Sequence, residues 1–217
     1  MKQSTQLMLE DLITRYSELT TVRNDIDSAF ELLKQCFSTG NHLYICGNGG
    51  SASDAQHIVG ELMKSFVIKR KINESLAKNL RQLYPEDADM IISGLQGALP
   101  AHTLAGETAL LTAFMNDVDP VMVFAQQLSG YMKPDDVLMA ITTSGSSLNV
   151  IRAIQVATAM GGKTIALTGR KGLDITVRSD VTIAVPQAET YKVQELHLPV
   201  YHSLCEMLEN EFFGSDS

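Results

Sequence analysis

The chain uses one local pattern twice: an apolar β-type run, a loop of very small polar residues, then helical periodicity. The first copy runs from His42-Leu43-Tyr44-Ile45-Cys46 into Gly47-Asn48-Gly49-Gly50-Ser51-Ala52-Ser53-Asp54. The second runs from Val137-Leu138-Met139-Ala140-Ile141 into Thr142-Thr143-Ser144-Gly145-Ser146-Ser147. Strand, loop and helix in that order begin a β-α-β crossover, which commits a chain to a parallel sheet covered by helices. A loop of Gly, Ser, Thr and Asn at a helix N-terminus offers N–H groups and hydroxyls to an anion, and the helix dipole adds attraction. Two such loops at the carboxyl ends of parallel strands would face one crevice, where open α/β sheets bind ligands. The expected ligand is a phosphorylated small molecule.

The remaining periodicity supplies the layers around that sheet. Residues 5 to 39 carry two helical stripes, Leu7, Leu9, Leu12, Ile13, Tyr16 and Leu19, then Ile26, Ala29, Phe30, Leu33 and Cys36. Gly40-Asn41 closes the second helix ahead of the first strand. A helix is expected from Ser53 to about Phe66, with Ala55, Ile58, Val59, Leu62 and Met63 inward and Ser53 as a possible cap. The charged stretch from Val67 to about Gly97, broken at Pro85, reads as an insertion of two helices or a lid. A weak strand at Leu99–Leu104 and helices at Thr108–Phe114 and Val121–Tyr131 follow. Beyond these, strand Val137–Thr142, helix Asn149–Met160, strand Lys163–Thr168, loop Gly169–Gly172 and strand Val181–Val185 alternate clearly, and a last helix runs from Tyr191 to Phe213 across Pro199.

Composition narrows the class. With 217 residues the chain makes one domain, or one domain with an insertion. A net charge of −8 argues against nonspecific nucleic-acid or anionic-membrane binding, while leaving local phosphate recognition open. No apolar run is long enough to span a bilayer, and the N-terminus has no signal-peptide core. Cys36, Cys46 and Cys205 have no metal-type spacing and read as reduced core thiols of a cytoplasmic protein.

His57 and Glu61 lie four apart behind the first loop and so share a helix face. The spacing suits two ligands of one metal, an acid–base pair, or simply a solvated face. The last helix carries Gln194, Glu195, His197, Tyr201 and His202, and of its two histidines one fits a core position and the other an exposed one. Gln194 and His202 are eight apart, about 12 Å along a straight helix, so shared ligation needs a distortion near Pro199 or a second subunit. Asp54 reads as structural and Asn116-Asp117 as turn residues; His42 and His102 receive no role. No Walker lysine follows either loop, and Gly47 to Gly50 does not match G-x-G-x-x-G.

Taken together, these segments resemble the sugar-isomerase (SIS) domain family, and within it the phosphoheptose isomerases. The resemblance is carried by CGNGGSASDAQHIVGEL (46–62), MND (115–117), DVLMAITTSGSSLNVIRAI (136–154), TIALTG (164–169) and VQELHLPVYH (193–202). It covers residues 1 to 66 and 114 to 213 and implies a single three-layer α/β/α domain with a central parallel sheet and N-terminal helices. It also implies conversion of sedoheptulose 7-phosphate to D-glycero-D-manno-heptose 7-phosphate through an enediol, in a homotetramer. Asn48, Gly49, Gly50, Ser51, Thr142, Ser144 and Ser147 would bind phosphate, with Thr143 close to the sugar and Asp117 holding its hydroxyls. His57, Glu61, Gln194 and His202 would surround a divalent metal, usually zinc, with Glu61 as the carbon base and His202 as the acid/base at the sugar oxygens. Ser65, Tyr191 and Ser146 depart from the Arg, Asp and Asn expected of the family. The alternatives are a non-catalytic SIS module that binds a sugar phosphate or a protein, and an isomerase of another phosphosugar. Retention of all four metal-type positions favours the enzyme.

Overall fold

In a computed structural model, which describes residues 1–174 and 179–215, parallel strands form the middle layer. The strands are β1 (Leu43–Gly47), β2 (Ala101–Thr103), β3 (Val137–Thr142), β4 (Lys163–Gly169) and β5 (Val181–Val185), in the spatial order β2-β1-β3-β4-β5. β3 is buried along its whole length, because helices cover both faces of the sheet. Its odd positions, Val137, Met139 and Ile141, join one core, and Leu138 and Ala140 join the other. The chain leaves β1 for β2 on one side and returns to β3 on the other. That reversal makes the gap between the carboxyl ends of β1 and β3 the topological switch point. Both small-residue loops open into it.

The first core packs α1 (Gln3–Arg15), α2 (Arg23–Ser38), α3 (Gly50–Met63) and α9 (Thr190–Phe213) on one face. The second packs α7 (Val123–Tyr131) and α8 (Leu148–Ala159) on the other. The second N-terminal stripe is buried at every position, but Leu7 of the first is 63% exposed. The helix behind the first loop starts at Gly50 rather than Ser53. Gly49, at φ +56°, turns the chain straight into the helix, which places Ser51 in the first turn and buries it. Met63, expected inward, is 45% exposed at the end of α3. The expected loop at Gly169–Gly172 is instead largely a 3₁₀ turn over Arg170–Asp174. α9 stays helical through Pro199. Between β2 and α7, α6 (Thr108–Asp117) buries none of its residues.

Residues 67–97 contain α4 (Glu74–Leu83) and α5 (Ala88–Gly94), separated around Pro85. A buried ion pair ties this segment to the body. The Glu209 carboxylate on α9 accepts the main-chain N–H groups of Phe66, Val67 and Ile68 at 2.7–2.9 Å and Arg70 Nε at 2.6 Å. Arg70 then donates to the carbonyls of Leu62 (2.6 Å) and Glu61 (2.9 Å) at the end of α3, where helix geometry supplies no donor; Leu62 also accepts the Leu99 N–H at 3.0 Å. The segment returns to the same place, with Gly97 N–H on the Arg70 carbonyl (3.4 Å) and the Gln96 side chain accepting Ser65 N–H (2.8 Å). Among the described residues no helix is long and apolar enough to cross a membrane.

Candidate active site

The two loops meet at one cavity of about 290 Å³, lined by Asn48, Gly49, Gly50, Ser51, Ile141, Thr142, Thr143, Ser147, Thr190 and Gln194. Gly47 is required for the first loop to fold back, since a Cβ there would lie 2.7–2.8 Å from the Cβ and main chain of Ser51. In the second loop Gly145, at φ +72°, donates its N–H to Thr142 Oγ1 at 3.2 Å. Ser144 is exposed and pairs with Ser146 (Oγ···Oγ 2.9 Å) instead of lining the cavity. Gln194 reaches the first loop from α9, and a Cβ on Gly50 would sit 2.4 Å from its Nε2.

Two turns along the same helices lies the titratable cluster. His57 Nε2 is 3.2 Å from Glu61 Oε1, and Lys64 Nζ donates to Glu61 Oε2 at 3.0 Å. The carboxylate is only 13% exposed, whereas His57 is 43% exposed and open to a ligand. His202 packs edge-on against His57 with ring centroids 4.9 Å apart, and burial, then the neighbouring His57, holds its pKa below the usual value. The other nitrogen of His57, Nδ1, lies 3.0 Å from the Tyr201 hydroxyl, which donates to Asp54 Oδ1 at 3.3 Å. Burial raises the Asp54 pKa and pushes the Tyr201 phenol well above its ordinary value. Asp54 and Tyr201 therefore orient His57, a role that the sequence reading did not assign. Asp54 lies one turn before His57 on α3, but Tyr201, which links the two, comes from α9 and leaves no short-range signal.

α9 thus delivers Gln194 to the cavity between the loops and His202 to His57 as one continuous helix. Asp117 stays apart: it ends α6, is exposed, and bonds the Asn116 amide at 2.8 Å. His202 Nε2 is buried with no hydrogen-bond partner, and imidazole with carboxylate is a donor set suited to a divalent ion such as zinc. The residues fit such an ion by type, although among the described residues no group of three or more His, Cys, Asp or Glu is already closed around a cation position.

Sequence-family models of the SIS domain match residues 9–93 and 98–208. The phosphoheptose isomerase of Akkermansia muciniphila is 33% identical over 92% of both chains. That of Geotalea daltonii is 38% identical over 87% of this chain and 85% of its own. Among solved structures, phosphoheptose isomerase GmhA from Neisseria gonorrhoeae superposes with a TM-score of 0.72 at 31% identity, covering 93% of this chain and 94% of that one. A phosphoheptose isomerase from Francisella tularensis gives a TM-score of 0.74 at 27% identity over the same shares. Fold, loop placement and relatives along nearly the whole length agree, and the chain belongs to the SIS-domain family of phosphoheptose isomerases.

Proposed function

We infer that this protein is an aldose–ketose isomerase that converts sedoheptulose 7-phosphate to D-glycero-D-manno-heptose 7-phosphate. The observation that carries the reading is the path of α3. It begins inside the anion loop and, two to three turns later, presents His57 and the largely buried Glu61 as a contacting pair. A substrate held by its phosphate at Ser51, Thr142 and Ser147 then extends its other end toward that pair.

Isomerisation moves one carbon-bound proton and redistributes two oxygen-bound ones. Glu61 takes a proton from C1 of the ketose as the C2 oxygen gains one, giving an enediol, and returns a proton to C2 as the C1 hydroxyl loses its own. His202 serves the oxygens, since a neutral imidazole both gives and accepts protons. Tyr201 and Asp54 hold the His57 ring fixed beside Glu61. We propose His57, Glu61 and His202 as holders of a divalent metal, zinc by donor type, with the unpartnered His202 Nε2 in support. Gln194, about 12 Å from His202 along α9, would join from a second subunit. When bound, such an ion would stabilise negative charge on the substrate oxygens. The reading further includes a homotetramer and a cytoplasmic location, the latter supported by three buried thiols, none in a disulfide.

Product analysis by NMR, with sedoheptulose 7-phosphate in deuterated water, tests the activity. A heptose 7-phosphate carrying deuterium at C2 is expected, with turnover lost on chelation and restored by zinc. Glu61→Gln keeps the side-chain shape and removes the base, so turnover should fall by about 10²–10⁴-fold while thermal stability and phosphate binding persist. An active Glu61→Gln protein excludes Glu61 as the base.

A further inference from the structure

Asn149 lies outside the cavity, on the first turn of α8, yet it forms a closed amide pair with Asn48 of the opposite loop. Asn48 Nδ2 donates to Asn149 Oδ1 at 2.9 Å, and Asn149 Nδ2 donates to Asn48 Oδ1 at 2.8 Å. Such a pair has two joint orientations, because turning one amide alone would set oxygen against oxygen and nitrogen against nitrogen. The fold selects between them. The main-chain N–H of Val150 donates to Asn149 Oδ1 at 3.0 Å, which fixes the Asn149 oxygen and, through it, the Asn48 amide. This N–H belongs to the first turn of α8, where helix geometry supplies no acceptor.

We propose that Asn149 is a positioning residue for substrate binding: it occupies the Asn48 carbonyl oxygen and leaves an Asn48 N–H as the polar group for an anionic ligand. Asn48 lines the cavity. An amide free to rotate would present its oxygen to a phosphate in one of its orientations and repel it. Held by Asn149, it offers a donor only. The same pair joins loops 101 residues apart in sequence, so it also sets their separation across the cavity. This inference rests on the cavity being the phosphate site of the proposed isomerase.

The test measures inorganic phosphate affinity by calorimetry and steady-state kinetics with sedoheptulose 7-phosphate. The proteins compared are the parent, Asn149→Ala, Asn149→Asp, Asn48→Ala and the double alanine variant. Asn48 is exposed and Asn149 half-buried, and neither belongs to a hydrophobic core, so unfolding temperatures should stay close to the parent's. Asn149→Ala should raise the phosphate Kd and KM together, by about ten-fold, with little change in kcat, the pattern of lost uniform binding. Asn149→Asp still accepts from Val150 but no longer donates to Asn48, and should bind more weakly than the parent as well. In the Asn48→Ala background, Asn149→Ala should add almost nothing. Parent-like phosphate affinity in Asn149→Ala, or a full additive loss in the double variant, overturns the positioning role alone. A parent that turns over sugar phosphate without binding at this cavity overturns the assignment of the phosphate site and the role of Asn149 with it. A parent that neither binds phosphate nor turns over the sugar overturns the functional reading too.

Discussion

His197 shows what burial does to one titratable ring. It has no exposed surface, and neither ring nitrogen has a partner in hydrogen-bonding geometry. Burial pulls its pKa down to about 4, with the Thr168 main chain acting weakly the other way. In the unfolded chain a histidine titrates near its usual 6.5, so between these values the unfolded state binds a proton that the native state refuses. The contribution is complete above about pH 6.5 and is lost as pH falls toward 4, amounting to about 3 kcal/mol. Urea unfolding at pH 7.5 and pH 5 should show this loss, and His197→Leu should reduce it without destabilising the protein at pH 7.5. An unchanged pH dependence in His197→Leu would exclude the ring as its source. The sequence offered, as one reading, a satisfied core histidine and an exposed one on the last helix; His197 is buried but unpartnered, and His202 is half-buried. Which was which depended on the face of α9 that meets β4 and α3.

Elements were most legible where both faces are buried. β3 has the bounds that its apolar run indicates, because a strand covered on two sides needs no polar alternation, and β5 matches its run too, although its first two residues are only half-buried. β2 has three residues on a sheet edge, too few to show a period. The start of α3 was displaced because a capping side chain was sought at Ser53, while the turn is made by the positive φ of Gly49. Arg70 carries no local signal, because its partner Glu209 lies 139 residues away. Yet this pair closes the end of the helix that presents Glu61. Both side chains are fully buried, so Arg70→Met would strand a carboxylate and should cost about 3–5 kcal/mol. Denaturant unfolding measures the loss, and adding Glu209→Leu should recover only part of it, because the N–H groups of Phe66, Val67 and Ile68 then lose their acceptor. A single variant as stable as the parent would show that the pair contributes little.

At the scale of the molecule, the sheet order puts the two anion loops side by side, an arrangement implied by the repeated strand–loop–helix pattern before any coordinates. Less legible was the placement along α9, where Gln194 lines the cavity between the loops and His202 packs on His57. The surface also bears on assembly. α6 buries no residue and leaves Leu110, Met115 and, just beyond it, Val118 exposed, a surface that the proposed homotetramer would have to cover. Light scattering on the purified protein should give four times the 23.7 kDa chain mass, and a monomer at micromolar concentration would rule out the tetramer.

The ion pair and main-chain bonds that gather residues 65 to 70 and 96 to 97 at one neck have a practical consequence. A stretch whose two ends are already held together pays little for growing: each doubling of its length costs only about 0.6 kcal/mol of closure entropy. The chain between α4 and α5 is therefore a natural splice point. A peptide tag or a small reporter domain inserted near Pro85 would ride outside the catalytic body, and a protease nick there would leave two fragments still clasped at the neck.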